Sequence, residues 1–236
     1  MLIVLVCETF GNFPACEHSE GRLTNRNFRG KFLKSTVRLL GASIKTVYIT
    51  GAPASGKTTA VEALKSHPRL KESLEVWSYS SRLMEFLNRH SADAIDHGRL
   101  RQSSASLVRP EEIEALDAEL LVYVEDRRGK NNILIDSHPV TREDYGFRCT
   151  SFSAAYLAKI GLDEIWMLYT DAKTSLLRVL EDKVVRKPIS EEAAEMHTSM
   201  QASLAIAYGV AAGCPVYFFD TGCDQSMLVD RLALRL

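Results

Sequence analysis

Residues 47 to 59 read Val47-Tyr48-Ile49-Thr50-Gly51-Ala52-Pro53-Ala54-Ser55-Gly56-Lys57-Thr58-Thr59. A β-branched, apolar run leads into G-x-x-x-x-G-K-T and then into a helical pattern, the context a phosphate-binding loop requires. Gly51 and Gly56 let the backbone bend so that successive N–H groups point inward, and the helix that follows adds its N-terminal partial positive charge. The segment from Gly51 through Ala52, Pro53, Ala54, Ser55, Gly56, Lys57 and Thr58 to Thr59 is therefore expected to cradle the phosphates of ATP. Lys57 would place a point charge on the β- and γ-phosphates, and the Thr58 hydroxyl is the expected magnesium ligand. Thr59 is expected to pack or cap.

Working outward, 236 residues with 46% hydrophobic and 25% charged composition are ample for one catalytic core. The net charge of −1 is unevenly spread: residues 1–21 carry three Glu and no Lys or Arg, whereas residues 22–45 carry seven Lys/Arg and no acid. No basic field suited to nucleic acid covers the main domain. Within 22–45, contact with RNA or an acidic partner stands beside a solvated tail as a reading. Cys7, Cys16, Cys149, Cys214 and Cys223 are scattered and lack paired zinc spacing, so they read as reduced thiols in a cytoplasmic protein. The apolar start, Leu2 to Val6, is too short for a signal peptide or a membrane span.

Residues 1–44 are broken by Gly11-Asn12, Pro14, Gly21 and Gly30 and read as a loosely ordered extension. From Lys45 a strand–helix alternation runs to the C-terminus, giving a kinase-sized domain over 45–236. Strands are expected at about 45–50, 74–79, 132–136, 165–169 and 215–220. Helices are expected at 57–66, 81–89, 110–127, 152–160, 172–182, 191–212 and 225–236. Pro110 suits a first helical turn, with Glu111 and Glu112 complementing the helix dipole. Five apolar strands separated by helices imply an α/β fold, a parallel sheet covered on both faces. Ligands then bind beyond the carboxyl ends of the strands.

Asp136 ends the run Ile133-Leu134-Ile135, the pattern of an acid placed beside a P-loop to orient magnesium together with Thr58. A strand-ending Asp that caps a turn is the plainer reading. Ser137 follows where hydrolytic motors commonly carry Glu, which favours transfer to an acceptor over attack by water. His138 lies at the mouth of the expected cleft and would face an acceptor phosphate or the metal's water shell, or else be a solvated loop histidine. Arg178, Lys183, Arg186 and Lys187 fall in or beside a segment between two helices. A basic lid over about 183–190 would stabilise the charge of a moving phosphoryl group and exclude water; a solvated loop is the alternative.

Taken together, Gly51 to Thr59, Tyr79-Ser80-Ser81-Arg82-Leu83-Met84, Arg101, Ile135-Asp136-Ser137-His138, Asp182 with Arg186, His197, and Ala207-Tyr208-Gly209-Val210 with Gly213 resemble archaeal-type adenylate kinases over about residues 45–222. The resemblance implies a three-layer P-loop nucleoside-monophosphate-kinase fold with a mobile lid and acceptor-binding helices. It implies ATP and Mg2+ on the P-loop, and AMP between the helix near Ser81 and the Asp136–His138 turn. Ser81, Arg101 and His138 would then serve the acceptor, and Lys57, Asp136, Arg178 and Arg186 the transfer itself. The chain departs from the pattern where Val185, Lys187 and Ala202 stand in places expected to hold arginine. A kinase of a non-nucleotide small molecule, or an ATP-binding regulatory module with a basic arm at 22–45, are the other functions this sequence suits. Oligomeric state is not legible.

Overall fold

The computed structural model describes residues 44–90, 108–181 and 189–236. The extension at 1–43, Arg101, and the lid positions Asp182, Val185, Arg186 and Lys187 lie outside the described residues. Strand β1 (Thr46–Gly51) leads through the P-loop into α1 (Lys57–Ser66), followed by β2 (Leu74–Ser78), α2 (Tyr79–His90) and α3 (Pro110–Arg127). Next come β3 (Asn132–Asp136), β4 (Val140–Glu143), β5 (Gly146–Cys149), α4 (Ala154–Ile160), β6 (Glu164–Tyr169), α5 (Ala172–Glu181), α6 (Glu191–Ala212), β7 (Val216–Asp220) and α7 (Gln225–Ala233).

Five strands form one sheet in the order β2-β3-β1-β6-β7, every pair parallel. Alternation along each strand sends side chains to opposite faces. Tyr48, Ile133, Ile135, Ile165 and Met167 meet α3, α4 and α6 on one face; Val47, Ile49, Leu134, Trp166 and Leu168 meet α1 and α7 on the other. The three central strands, β3, β1 and β6, are buried on both faces, which is why they read as unbroken apolar runs, whereas the edge strands β2 and β7 are only partly covered.

The helix ends follow local chemistry. Ser153 and Ser190 cap α4 and α6 by accepting from Tyr156 N and Ala193 N, and Gly161 and Gly213 close the same helices in the left-handed region. At α3 the Glu112 carboxylate accepts from Arg109 N at 2.8 Å.

Two features differ from expectation. A two-stranded antiparallel hairpin, β4–β5, stands at 140–149, between the strand expected at 132–136 and the helix expected at 152–160. Lys45, counted with the basic arm as well as at the head of the first expected strand, belongs to the fold alone: its ammonium donates to Glu164 Oε1 at 2.8 Å and to the Arg235 carbonyl at 2.6 Å. Burial pushes the Glu164 carboxyl up, but hydrogen bonds from Arg235, Lys45 and Trp166 outweigh it and leave the group below its ordinary value.

Candidate functional site

The register of the sheet builds the site. Ile49 of β1 pairs with Asp136 of β3, and Ser78 of β2 pairs with the same residue, so the ends of three adjacent strands come level. Asp136 thereby stands beside the P-loop. The Lys57 ammonium donates to Asp136 Oδ1, with both side chains only 12% exposed.

The loop between them is shaped by close approach. A Cβ on Gly51 would lie 2.6 Å from the Leu168 carbonyl oxygen and 2.5 Å from Ser55 Oγ, so only glycine fits there. Ala54 (φ 63°) and Gly56 (φ 77°) are left-handed, and Ser55 N closes a turn on Ala52 O at 3.1 Å. Gly56 is the N-cap of α1 and offers no side chain to its amides. The first N–H groups of α1 therefore point toward the cleft with the helix's partial positive charge behind them. Such a cradle fits a polyphosphate, with Lys57 at its centre. Thr58 is exposed at the same helix end. Thr59 is exposed as well, which corrects the expectation that it packs.

The acceptor-side candidates fall at the same end of the sheet. Ser81, in the first turn of α2, lies with its Oγ 3.0 Å from Ser78 Oγ, next to the strand position that pairs with Asp136. His138 is exposed in the turn that leaves β3. Of the expected lid residues, Arg178 is described, and its guanidinium is committed to the P-loop: Nη1 donates to Ala54 O (3.3 Å) and Thr221 Oγ1 (3.0 Å), and Nη2 to Thr221 O (2.7 Å). It straps the loop to the β7–α7 connection.

Thr221 and Gln201, buried polar residues at the site, were not singled out from sequence, whereas His197 was among the residues that carry the resemblance. Thr221, 1% exposed, holds Arg178 and also donates to Tyr169 O at 3.1 Å. Gln201, fully buried on α6, donates through Nε2 to Thr50 Oγ1. Its signal was available as a polar residue inside the stretch 196–219, which carries no charged side chain. His197, one turn earlier and also buried, lies 3.0 Å through Nε2 from Val140 O and edge-on to Phe147. Burial holds its imidazole below the ordinary value, and the charge of Arg142 adds to this against the Val140 hydrogen bond. The Tyr48 hydroxyl faces Ser137 and Thr50 without closing a hydrogen bond, and burial drives its phenol far above the ordinary range.

Beneath the acceptor side, the Tyr79 hydroxyl donates to Asp117 Oδ1 at 2.9 Å and Tyr156 to the Asp117 carbonyl at 2.6 Å. Burial raises the Asp117 carboxyl to about 6, with the Tyr79 bond opposing and Glu114 adding to the rise. A groove of about 470 Å³ between α2 and α3, floored by Trp77 and Tyr123, lies at the β2 edge, two strands away from β1. Among the described residues no cluster of His, Cys, Asp and Glu forms a metal site by itself, and no helix is long and apolar enough to cross a membrane.

A parallel five-stranded sheet whose first strand ends in this loop, with an acid at the end of the neighbouring strand, defines a P-loop NTPase. Comparison with known families agrees, since the profile of the AAA domain matches residues 50–195, and the chain belongs to that family. Among solved structures, shikimate kinase from Bacteroides thetaiotaomicron superposes with a TM-score of 0.50 at 14% identity, over 81% of this chain and 99% of the other. A sugar kinase from Janibacter sp. gives 0.49 at 15% (81% and 93%), and shikimate kinase from Acinetobacter baumannii 0.45 at 12% (82% and 93%). At 14% identity the first of these likenesses speaks for the fold alone. No curated protein matches the chain.

Proposed function

We propose that the chain is a phosphotransferase that moves the γ-phosphoryl group of ATP, with magnesium, to a nucleoside monophosphate, AMP first among them. The observation that carries this reading is the meeting of Lys57 and Asp136 at the end of paired strands, with Ser81 on the next strand–helix junction. In this reading the groups proposed to hold the donor and to face the acceptor share one cleft. Two of the residues that carry the resemblance to archaeal-type adenylate kinases also have physical work in the fold. Tyr208 accepts from Phe152 N at 2.8 Å, and Gly209 leaves room for Val216, whose Cγ2 would lie 2.3 Å from an added Cβ.

Magnesium, once bound, supplies charge neutralisation on the phosphates. The chain's own residues do the rest. Loop amides and Lys57 hold the donor oxygens, Asp136 and Thr58 orient the metal, and Ser81 and His138 face the acceptor. Direct in-line transfer needs no covalent enzyme intermediate, so positioning and electrostatics suffice. Arg101 and Arg186 complete this reading as cations for acceptor and transition state. The scattered cysteines support a cytoplasmic setting.

One observation favours a second acceptor class. Ala202 of α6 is half-buried against the core, where an arginine would be expected, and Val185 replaces another, while Lys187 keeps the charge but not the guanidinium of a third. Bringing two polyanions together demands more cations than phosphorylating a neutral hydroxyl, so a base-free small-molecule alcohol suits the thinner cation set.

The test is direct phosphate transfer from Mg-ATP to a panel of nucleoside monophosphates and base-free hydroxyl metabolites, beside Lys57→Ala and Asp136→Ala. ADP formed at twice the rate of AMP consumption and lost in both variants supports the first reading. Transfer only to base-free alcohols replaces it with the second. Slow, acceptor-independent phosphate release overturns both in favour of an ATP-driven regulatory module.

A further inference from the structure

We infer that Gln201 is a positioning residue for the P-loop, acting through Thr50. Resting on the P-loop reading of the site, the inference concerns nucleotide binding alone. Gln201 is fully buried, and its Nε2 reaches Thr50 Oγ1 across 151 residues of chain. Its Oε1 has no hydrogen-bond partner, so the amide is only half satisfied. A primary amide in that state is a poor way to fill core volume, because an apolar side chain of the same size carries no desolvation cost. What the amide adds is direction. Thr50 is the last residue before Gly51, and Gly51 has no room for even a methyl group, since a Cβ there would lie 2.6 Å from Leu168 O and 2.5 Å from Ser55 Oγ. A shift of Thr50 is therefore passed into the loop rather than absorbed.

The same helix face carries His197, four residues earlier, held to Val140 O just beyond the turn that leaves Asp136. Residues four apart share a face of a helix. The helix α6 thus grips the P-loop strand through Gln201 and the chain leaving Asp136 through His197, and holds the two walls of the cleft at a set separation. Gln201 is the grip on the donor side.

The experiment is calorimetric titration of the full chain with Mg-ADP, using Gln201→Met (same length, no donor), Thr50→Val (same shape, no hydroxyl), Thr50→Ser (hydroxyl kept) and the Gln201→Met/Thr50→Val double variant. Thermal melting is run on each. Expected is a loss of about tenfold in affinity for each of the first two, the weight of one buried hydrogen bond. The double variant should lose no more than either single, and Thr50→Ser should stay near the parent. Unchanged Mg-ADP affinity in Gln201→Met and Thr50→Val, whatever their melting temperatures, overturns the inference, as does a double variant whose losses add. A parent chain that binds Mg-ADP but phosphorylates no acceptor would defeat the proposed transfer and leave this result standing. Should Gln201→Met fail to fold, the Thr50→Val and Thr50→Ser pair still decides.

Discussion

The Lys57 ammonium rests on the Asp136 carboxylate, 79 residues apart in sequence and both largely buried. The P-loop lysine and the strand-ending acid neutralise each other at the spot where donor phosphates and magnesium are proposed to sit. Ligand binding must therefore redistribute this pair rather than occupy a bare charge. Lys57→Met should lower phosphoryl transfer by about 10²- to 10³-fold, because it removes a charge aimed at the transition state. Each single neutralisation also strands a partly buried charge, so Lys57→Met/Asp136→Asn should melt higher than either single variant. Thermal denaturation without nucleotide checks this, and a double variant melting below both singles would refute the mutual-neutralisation account.

Arg178 makes three hydrogen bonds with a planar fork that ties Ala54 to Thr221. Arg178→Ala should weaken Mg-ATP binding about tenfold by freeing the loop, and Arg178→Lys should recover little, since one ammonium cannot span these acceptors. Equilibrium binding measures it. Full rescue by lysine would mean that charge alone matters at this position.

Gly51 and Gly209 are sites of close approach rather than of special dihedral angles. Gly209→Ala drives a methyl into Val216 and toward the Cys214 carbonyl, and should cost about 1–3 kcal/mol in chemical denaturation. Gly51→Ala meets a backbone carbonyl that cannot step aside, so it should abolish nucleotide binding as well as lower stability. Gly129, with open space around its α-carbon but φ +74°, should be the milder replacement, strained by its dihedral alone.

Asp117 sets a pH dependence whose sign is opposite to that of a salt-bridged acid. Its folded carboxyl is raised to about 6, mainly by burial, so the folded protein holds a proton that the unfolded chain has already released. Its contribution is complete below the ordinary aspartate value and is lost as pH rises from about 4 to about 6. With partial solvent access the effect is about 1 kcal/mol. Asp117→Asn keeps an acceptor for the Tyr79 hydroxyl and should raise the melting temperature at pH 7.5 but barely at pH 4.5. Equal shifts at both pH values would contradict the assignment.

Much of this architecture is local in origin. The interval 57–66 for α1, Pro110–Arg127 for α3 and Asn132–Asp136 for β3 follow from periodicity, a first-turn proline and an apolar run closed by an acid, and the structure has the same bounds. The P-loop was legible for the same reason: its glycines, lysine and threonines stand at fixed spacing within one short stretch between a strand and a helix. The hairpin at 140–149 was hidden because its strands pair with each other away from the main sheet, leaving no continuous apolar signal.

What only the tertiary structure decided are the relations that cross the sheet. The sequence placed Asp136 beside the P-loop but did not say that Lys57 would pair with it, nor that Arg178, expected to serve the transfer, would bind Ala54 and Thr221, nor that Gln201 would reach Thr50. The reason is that each bond joins residues 43 to 151 positions apart. Side-chain patterning carries the identity of elements, because periodicity is a property of neighbours. The partners of a buried polar group are set by strand order and register, which exist only once the sheet has formed.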